Sequence, residues 1–331
     1  MTSSTQQQAS PSPENAGSRR DTSLLVAVVL TVLVGGLLAF QTRINGALGA
    51  ALGDGLTAAA IAFGVGLILT AIGLVFNRKG RAALHEIPLL IREKVLAPWM
   101  LLGGAVASIF VIAQGLTGAL LGTALFTVGA VAGQTVSGLI VDRIGVGPGG
   151  SRLITPPRFI SAVLCVIAVG FAVAQHIGSQ IPVWLVVLPI IGGAATAWQQ
   201  AVNGRVRAAT HSALGATFVN FLTGTVVVVL VAVIHGLAAG FPHSFPTNPL
   251  LYMGGVSAVI FIAATTVLVR VTGVLILGLC TVAGQLVTSL ILDLTLPQGR
   301  GIDLTIAIAT VLALIAAVVA SVRFRRPRNQ A

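Results

Sequence analysis

Charge is scarce in this chain. Only 8% of its 331 residues are Asp, Glu, Lys or Arg, against about 25% in soluble globular domains, which excludes a water-soluble globule. Acids are rarest: Glu14, Asp21, Asp54, Glu86, Glu93, Asp142, Asp293 and Asp303 are the whole set, and all lie in tails, loops or at the ends of apolar runs. Ion-coupled carriers usually hold ionisable groups within the membrane, so this lack counts against coupling of that kind. The two cysteines, Cys165 and Cys280, both fall inside apolar runs; they make no disulfide scaffold and read as packing residues. Five histidines (His85, His176, His211, His235 and His243) form no metal-spaced motif with Glu. No Gly-rich loop ends in the Lys of a nucleotide-phosphate site. With no acid, base and nucleophile set in reach of one another, an enzyme, a metal centre, a cofactor and an internal ATP motor are all set aside.

Apolar length is what the chain has. It is 56% hydrophobic with a mean hydropathy of +1.00, and ten runs reach the ~20 residues that cross a bilayer as helix. They cover residues 24–42, 57–76, 97–115, 119–141 and 157–175, then 183–201, 214–235, 250–268, 273–292 and 303–322. The runs are continuously apolar, whereas membrane strands alternate in polarity; the sequence predicts an all-α integral membrane protein. Residues 1–23, rich in Gln, Ser and Pro, read as a disordered tail; 77–96 is the longest polar loop and 323–331 a basic tail. Trp99, Trp184 and Tyr252 stand at the starts of runs, where interfacial anchors belong.

The net charge of +11 follows the loops. With the N-terminus in the cytoplasm, 17 of the 19 Lys and Arg fall on the inside, and only Arg43 and Arg300 fall outside. That is the positive-inside bias, and it places both termini in the cytoplasm. A nucleic-acid surface would gather its charge on one face instead of alternate loops. Arg19 and Arg20 ahead of an apolar run resemble a signal segment, yet that run has a counterpart in the middle of the chain, which a cleaved leader would not need.

The counterpart belongs to a duplication. Phe40 to Gly46 reads FQTRING and Trp198 to Gly204 reads WQQAVNG, 158 residues apart, and Phe63 and Gly66 recur as Phe221 and Gly224 at the same spacing. Val131 to Asp142 (VAGQTVSGLIVD) returns as Val282 to Asp293 (VAGQLVTSLILD) 151 residues on. A loop seven residues shorter accounts for the change. The halves are thus 24–176 and 177–322, each with five runs. An odd number of spans makes the second half enter from the opposite side, so ten transmembrane helices form two inverted five-helix repeats, an architecture of secondary transporters.

The paired segments, each an aromatic residue, Gln, three residues and Asn-Gly ending a Gly-rich run before a Phe-x-x-Gly run, resemble the drug/metabolite transporter superfamily. Within it the chain is similar to the YdcZ-like branch of bacterial inner-membrane exporters, over nearly all of 24–322. The resemblance implies a ten-helix fold in the bacterial inner membrane, with a small-molecule substrate handled between the halves and moved outward. It names no substrate. Small multidrug exporters of the same superfamily carry a Glu in their first helix; this chain has none there, which puts proton exchange through such a Glu, and a polycationic cargo, in doubt. The alternative to a transporter is a membrane scaffold or partner protein that moves nothing.

Candidate pathway residues are amides. Gln134 and Gln285 lie about three residues from the middle of their spans, ~4.5 Å along a helix, where a polar group must face protein or a water-filled cavity. Lining the pathway and hydrogen bonding between helices, aided by Gly129 and Gly133, both satisfy that demand. Gln41 with Asn45, and Gln199 with Asn203, each share a helical face near opposite membrane surfaces. They read either as matched gates or, through Asn-Gly, as helix C-caps. Gln114, Gln175, Gln200 and Asn220 are further embedded amides; Gln175 and Gln200 read as interfacial, and Asn220, which replaces Ala62 of the first half, as packing glue. Asp142 and Asp293 are possible coupling groups at opposite ends of the path, or plain interfacial ends with Asp142 meeting Arg143. Arg43 reads as snorkelling to the outer interface.

Overall fold

A computed structural model describes residues 13–151, 153–174, 184–297 and 304–321. Among them there is helix and no strand. In a hydrocarbon medium the backbone must satisfy its own hydrogen bonds, and a continuous apolar run can do so only as a helix. The helices are α1 (Pro13–Leu52), α2 (Gly55–Phe76), α3 (Arg78–Arg92), α4 (Gly103–Leu121), α5 (Thr123–Ile144), α6 (Pro156–Ala174), α7 (Trp184–Thr210), α8 (Ala213–Ala239), α9 (Gly254–Thr295) and α10 (Leu304–Ser321). Seven helical segments are long and apolar enough to cross a membrane, and three shorter apolar ones lie at Pro156–Ala172, Gly254–Thr265 and Leu304–Val319. Large aliphatic side chains such as Ile68, Val75, Leu230 and Ile234 stand exposed on their outer faces.

Local chemistry sets the breaks. Asp54 caps α2 by accepting from the Leu56 N–H at 2.8 Å, and Ser212, its repeat mate, caps α8 through the Gly215 N–H at 3.1 Å. The residue before each cap is left-handed, Gly53 at φ 64° and His211 at φ 52°. Gly122, at φ 77°, separates α4 from α5, so the third run extends to Leu121 rather than stopping at 115. Two features differ from the expectation of tails and loops. α1 starts at Pro13, because once a helix exists each added residue gains a hydrogen bond; residues 13–23 are therefore helical, and 1–12 lie outside the described residues. The polar loop 77–96 contains the amphipathic helix α3, whose Gly80, Ala83 and Ile87 are buried, and whose Arg81 donates to the Leu74 carbonyl at the end of α2 at 2.8 Å.

The eighth and ninth runs both lie in α9, a helix of 42 residues. Straight, it would be ~63 Å long. Yet Gly254 lies against Asn45 and Asp293 is 3.9 Å from Arg43, so both ends of α9 meet the same turns of α1. The chain therefore doubles back within α9.

Contacts between the halves come in swapped pairs. The Phe221 ring covers the bare Cα of Gly66, and the Phe63 ring covers Gly224; the two rings meet edge to face at 5.7 Å. Gly35 packs on the Thr281 carbonyl as Gly193 packs on that of Ala130, and Gly284 on Val32 as Gly133 on Ile190. Gly254 abuts the Asn45 amide as Gly103 abuts that of Asn203. Each pair is related by the offsets of 158 and 151 residues found in the sequence. These glycines let α1 approach α9, and α7 approach α5, backbone to backbone, the small-residue packing that membrane helices use in place of a hydrophobic drive.

Candidate functional site

A cavity of about 330 Å³ lies between the halves, within the size range of small-molecule sites. Its walls are the rings of Phe63, Phe110, Phe221 and Phe261 and the amides of Gln41, Gln134, Gln199, Gln200, Asn203 and Gln285. Among the described residues no Asp or Glu lines it. The cavity is unevenly placed. It runs past Asn203, Gly204 and Arg207 on α7 and Ala213 and Thr217 on α8, and so reaches the end of the molecule marked by Ser212. Toward the opposite end, marked by Asp54, its α1 lining stops at Gln41.

The Asp54 end is sealed by close backbone packing and by amides. Gly46 lies against Gly118 and Ala119 of α4, and Gly49 and Gly55 both lie against Gly115. Gln114 of α4, fully buried, accepts at Oε1 from Asn45 Nδ2 at 2.8 Å and Gln41 Nε2 at 3.4 Å, and donates to Thr42 Oγ1 at 2.8 Å. At the Ser212 end the corresponding amides converge elsewhere: Gln199 Nε2 and Asn203 Nδ2 donate to Asn220 Oδ1 of α8 at 3.0 and 2.9 Å. The position matching Gln114 is Thr265, which lines the open cavity.

Neither Asn-Gly pair closes a helix. Asn45 and Gly46 lie inside α1, which runs on to Leu52, and Asn203 and Gly204 inside α7, which runs on to Thr210; the C-cap alternative is set aside, because the left-handed residues come later, at Gly53 and His211. Gln134 and Gln285 both border the cavity. Gln285 is 2% exposed, and among the described residues no hydrogen-bond partner satisfies its side chain or that of Gln134. Gln200 lines the cavity as well, instead of sitting at the interface as expected; Gln175 lies outside the described residues. Asn220 is an acceptor for two amides and more than packing glue.

The two repeated aspartates are in unlike surroundings. Asp293 is 4% exposed and accepts from the backbone N–H groups of Thr123 at 3.1 Å and Ala124 at 2.7 Å. A carboxylate there meets the positive end of the α5 dipole. Arg43 turns toward it, 3.9 Å away and with a side chain only 16% exposed, which corrects the snorkelling expectation: the buried carboxylate offers a partner that the interface does not. Asp142, 40% exposed, pairs with Arg158 at 2.8 Å rather than with Arg143. Among the described residues no group of three or more His, Cys, Asp or Glu comes together as a metal site would require.

Among the solved structures similar to this chain, one crystal structure matches at a TM-score of 0.53 and 17% identity, covering 90% of this chain and 97% of that chain; at such identity the likeness shows the fold alone. No curated protein matches the chain. A family model described as "putative inner membrane exporter, YdcZ" matches twice, at residues 26–171 and 184–319. The two matches divide the chain where the repeat does, and on them the chain belongs to the YdcZ family that this description names, which is not an enzyme class.

Proposed function

We propose that this protein is a secondary transporter that exports a small solute by alternating access, with ten spans arranged as two inverted five-helix repeats. The carrying observation is a cavity that extends toward the Ser212 end and stops short of the Asp54 end, between halves whose contacts are swapped in pairs. Contact pairs of that kind are what a two-fold relation between halves produces. A two-fold lying in the membrane plane means that the mirror arrangement, open at Asp54 and sealed at Ser212, is available to the same chain. Arg143, Arg158, Arg205 and Arg207 border the Ser212 end of the fold, so the positive-inside rule turns that end to the cytoplasm and places both termini there. The cavity is then loaded from inside.

Gln41 and Asn45 with Gln114 act as the outer gate, and Gln199 and Asn203 as the inner one. Asp293, holding the start of α5, stands in the closed position; Asp142, held by Arg158, stands in the open position. Turning the molecule over exchanges the two.

Liposomes reconstituted with the purified protein and loaded with a cell extract of small metabolites test the reading. At least one solute leaves saturably, and in a background lacking Cys165 and Cys280 an Ala59→Cys label site, the mate of cavity-lining Thr217, becomes reachable in part of the population while Ala213→Cys is reachable in the rest. Absence of any protein-dependent efflux, with Ala59→Cys never labelled, overturns transport and favours a scaffold.

A further inference from the structure

The central cavity is polar at its heart, apolar along its walls and, for a site in a membrane, unusual in its charge. Among the described residues no acid lines it, and its one charged side chain is Arg207, which has neither an ion-pair nor a hydrogen-bond partner among them. Deeper in, the Gln285 amide is almost wholly buried and borders the cavity, and among the described residues it has no hydrogen-bond partner; Gln134, its repeat mate, is half-buried and borders the cavity from α5. A buried amide without a partner is costly, so the Gln285 amide is arranged for something that enters, and Gln134 offers a second amide to the same space.

We propose that the cargo is a small organic monoanion, a carboxylate carried on an apolar body, bound by the unpartnered amides of Gln134 and Gln285 and drawn in by Arg207. This deepens the transport reading and rests on it. A carboxylate accepts charge-assisted hydrogen bonds from amide N–H groups, and the Phe63, Phe110, Phe221 and Phe261 rings cover the remainder. An organic cation meets only a guanidinium and no counter-charge, so desolvating it there is uncompensated.

The repeat supplies a second argument. The mate of Arg207 is Gly49, which at the sealed end packs directly on the backbone of Gly115. Closing the Ser212 end in the same way would carry the Arg207 guanidinium into the seal. An unpaired cation enclosed there opposes closure, and a bound carboxylate neutralises it. The anion thereby favours the turnover that moves it.

Three probes of one size and different charge test the proposal: cyclohexanecarboxylate, cyclohexylmethanol and cyclohexylmethylammonium, each titrated against the full chain in nanodiscs with thermal unfolding and calorimetry as readouts. The carboxylate binds about tenfold or more tighter than the alcohol, a difference of one decade in Kd, and the ammonium does not bind. Arg207→Gln brings the carboxylate down to the affinity of the alcohol and leaves the alcohol unchanged, Arg207→Lys retains much of the preference, and Gln285→Leu weakens both. Binding of the ammonium as well as the carboxylate, an intact carboxylate preference in Arg207→Gln, or no binding of any probe overturns the proposal. The two readings fail separately. Saturable flux of neutral solutes alone removes the anion and keeps the transporter, whereas carboxylate binding without flux keeps the site and removes transport.

Discussion

The carboxylate of Asp293 holds the backbone N–H of Ala124 at 2.7 Å, which ties the last turns of α9 to the first turn of α5 across 169 residues of chain. α5 has no side-chain cap of its own, since Gly122 occupies that position. Asp293→Asn therefore lowers stability by about 1–2 kcal/mol, the loss of a charged cap at a helix start. Asp142→Asn, at a half-exposed pair, changes it by well under about 1 kcal/mol. Thermal unfolding of the two variants in one detergent separates them.

Gln114 is the single acceptor for the Asn45 and Gln41 amides. Gln114→Leu leaves both donors buried without a partner, which costs about 1–3 kcal/mol, and it loosens the Asp54 end. Labelling of Ala59→Cys rises in the double variant; unchanged labelling removes the gate assigned to this amide.

Two glycines distinguish close approach from mere presence in a helix. A Cβ at Gly133 would meet the carbonyl oxygen of Ile190, while one at Gly138 would meet nothing within 4 Å. Gly133→Ala destabilises by about 1–3 kcal/mol through overpacking. Gly138→Ala is neutral or stabilising, up to about 1 kcal/mol, by helix propensity. The difference is read from Tm.

Gly53 and His211 occupy matching left-handed positions at φ 64° and 52°, but only one suits that geometry. His211→Gly stabilises by about 1 kcal/mol, the strain of a side chain in the left-handed region, and Gly53→Ala destabilises by a similar amount. Opposite shifts in Tm are expected; the same direction for both contradicts the assignment.

The repeat was legible because it is written in large residues. Phe63, Gly66, Phe221 and Gly224 recur at a fixed offset, and each ring covers the other half's glycine. The cavity amides Gln134 and Gln285 were legible too, since a polar group in an apolar run has few places to go. Gln114 stood out in the sequence, but its role did not, because its repeat mate is Thr265 and the bond to Asn45 spans 69 residues. Arg207 was absorbed into the count of inside charges, and only the cavity sets it apart from Arg205, whose Nε reaches the Val146 carbonyl at 3.1 Å. The reversal within α9 was legible as the gap between the runs 250–268 and 273–292, although no glycine break like the φ 77° of Gly122 marks it. Helix α3 was hidden by polarity, as its buried residues are few, Gly80, Ala83 and Ile87, with Leu90 and Ile91 partly buried beside Leu96 and Val206.

The mismatch between Gln114 and Asn220 bears on how such a machine idles. At the sealed end the amides of α1 bond to α4, a connection that opening must break; at the open end Gln199 and Asn203 already have their acceptor on α8 and stand to gain nothing comparable when the halves tilt. The two orientations are then unequal in energy even though the halves are alike in shape. Under alternating access an empty molecule rests with one mouth shut and the other waiting, and return from the opposite state is downhill. In the proposed cycle three amides and one threonine thus set where the empty molecule waits, while the solute gradient sets the direction of net flux.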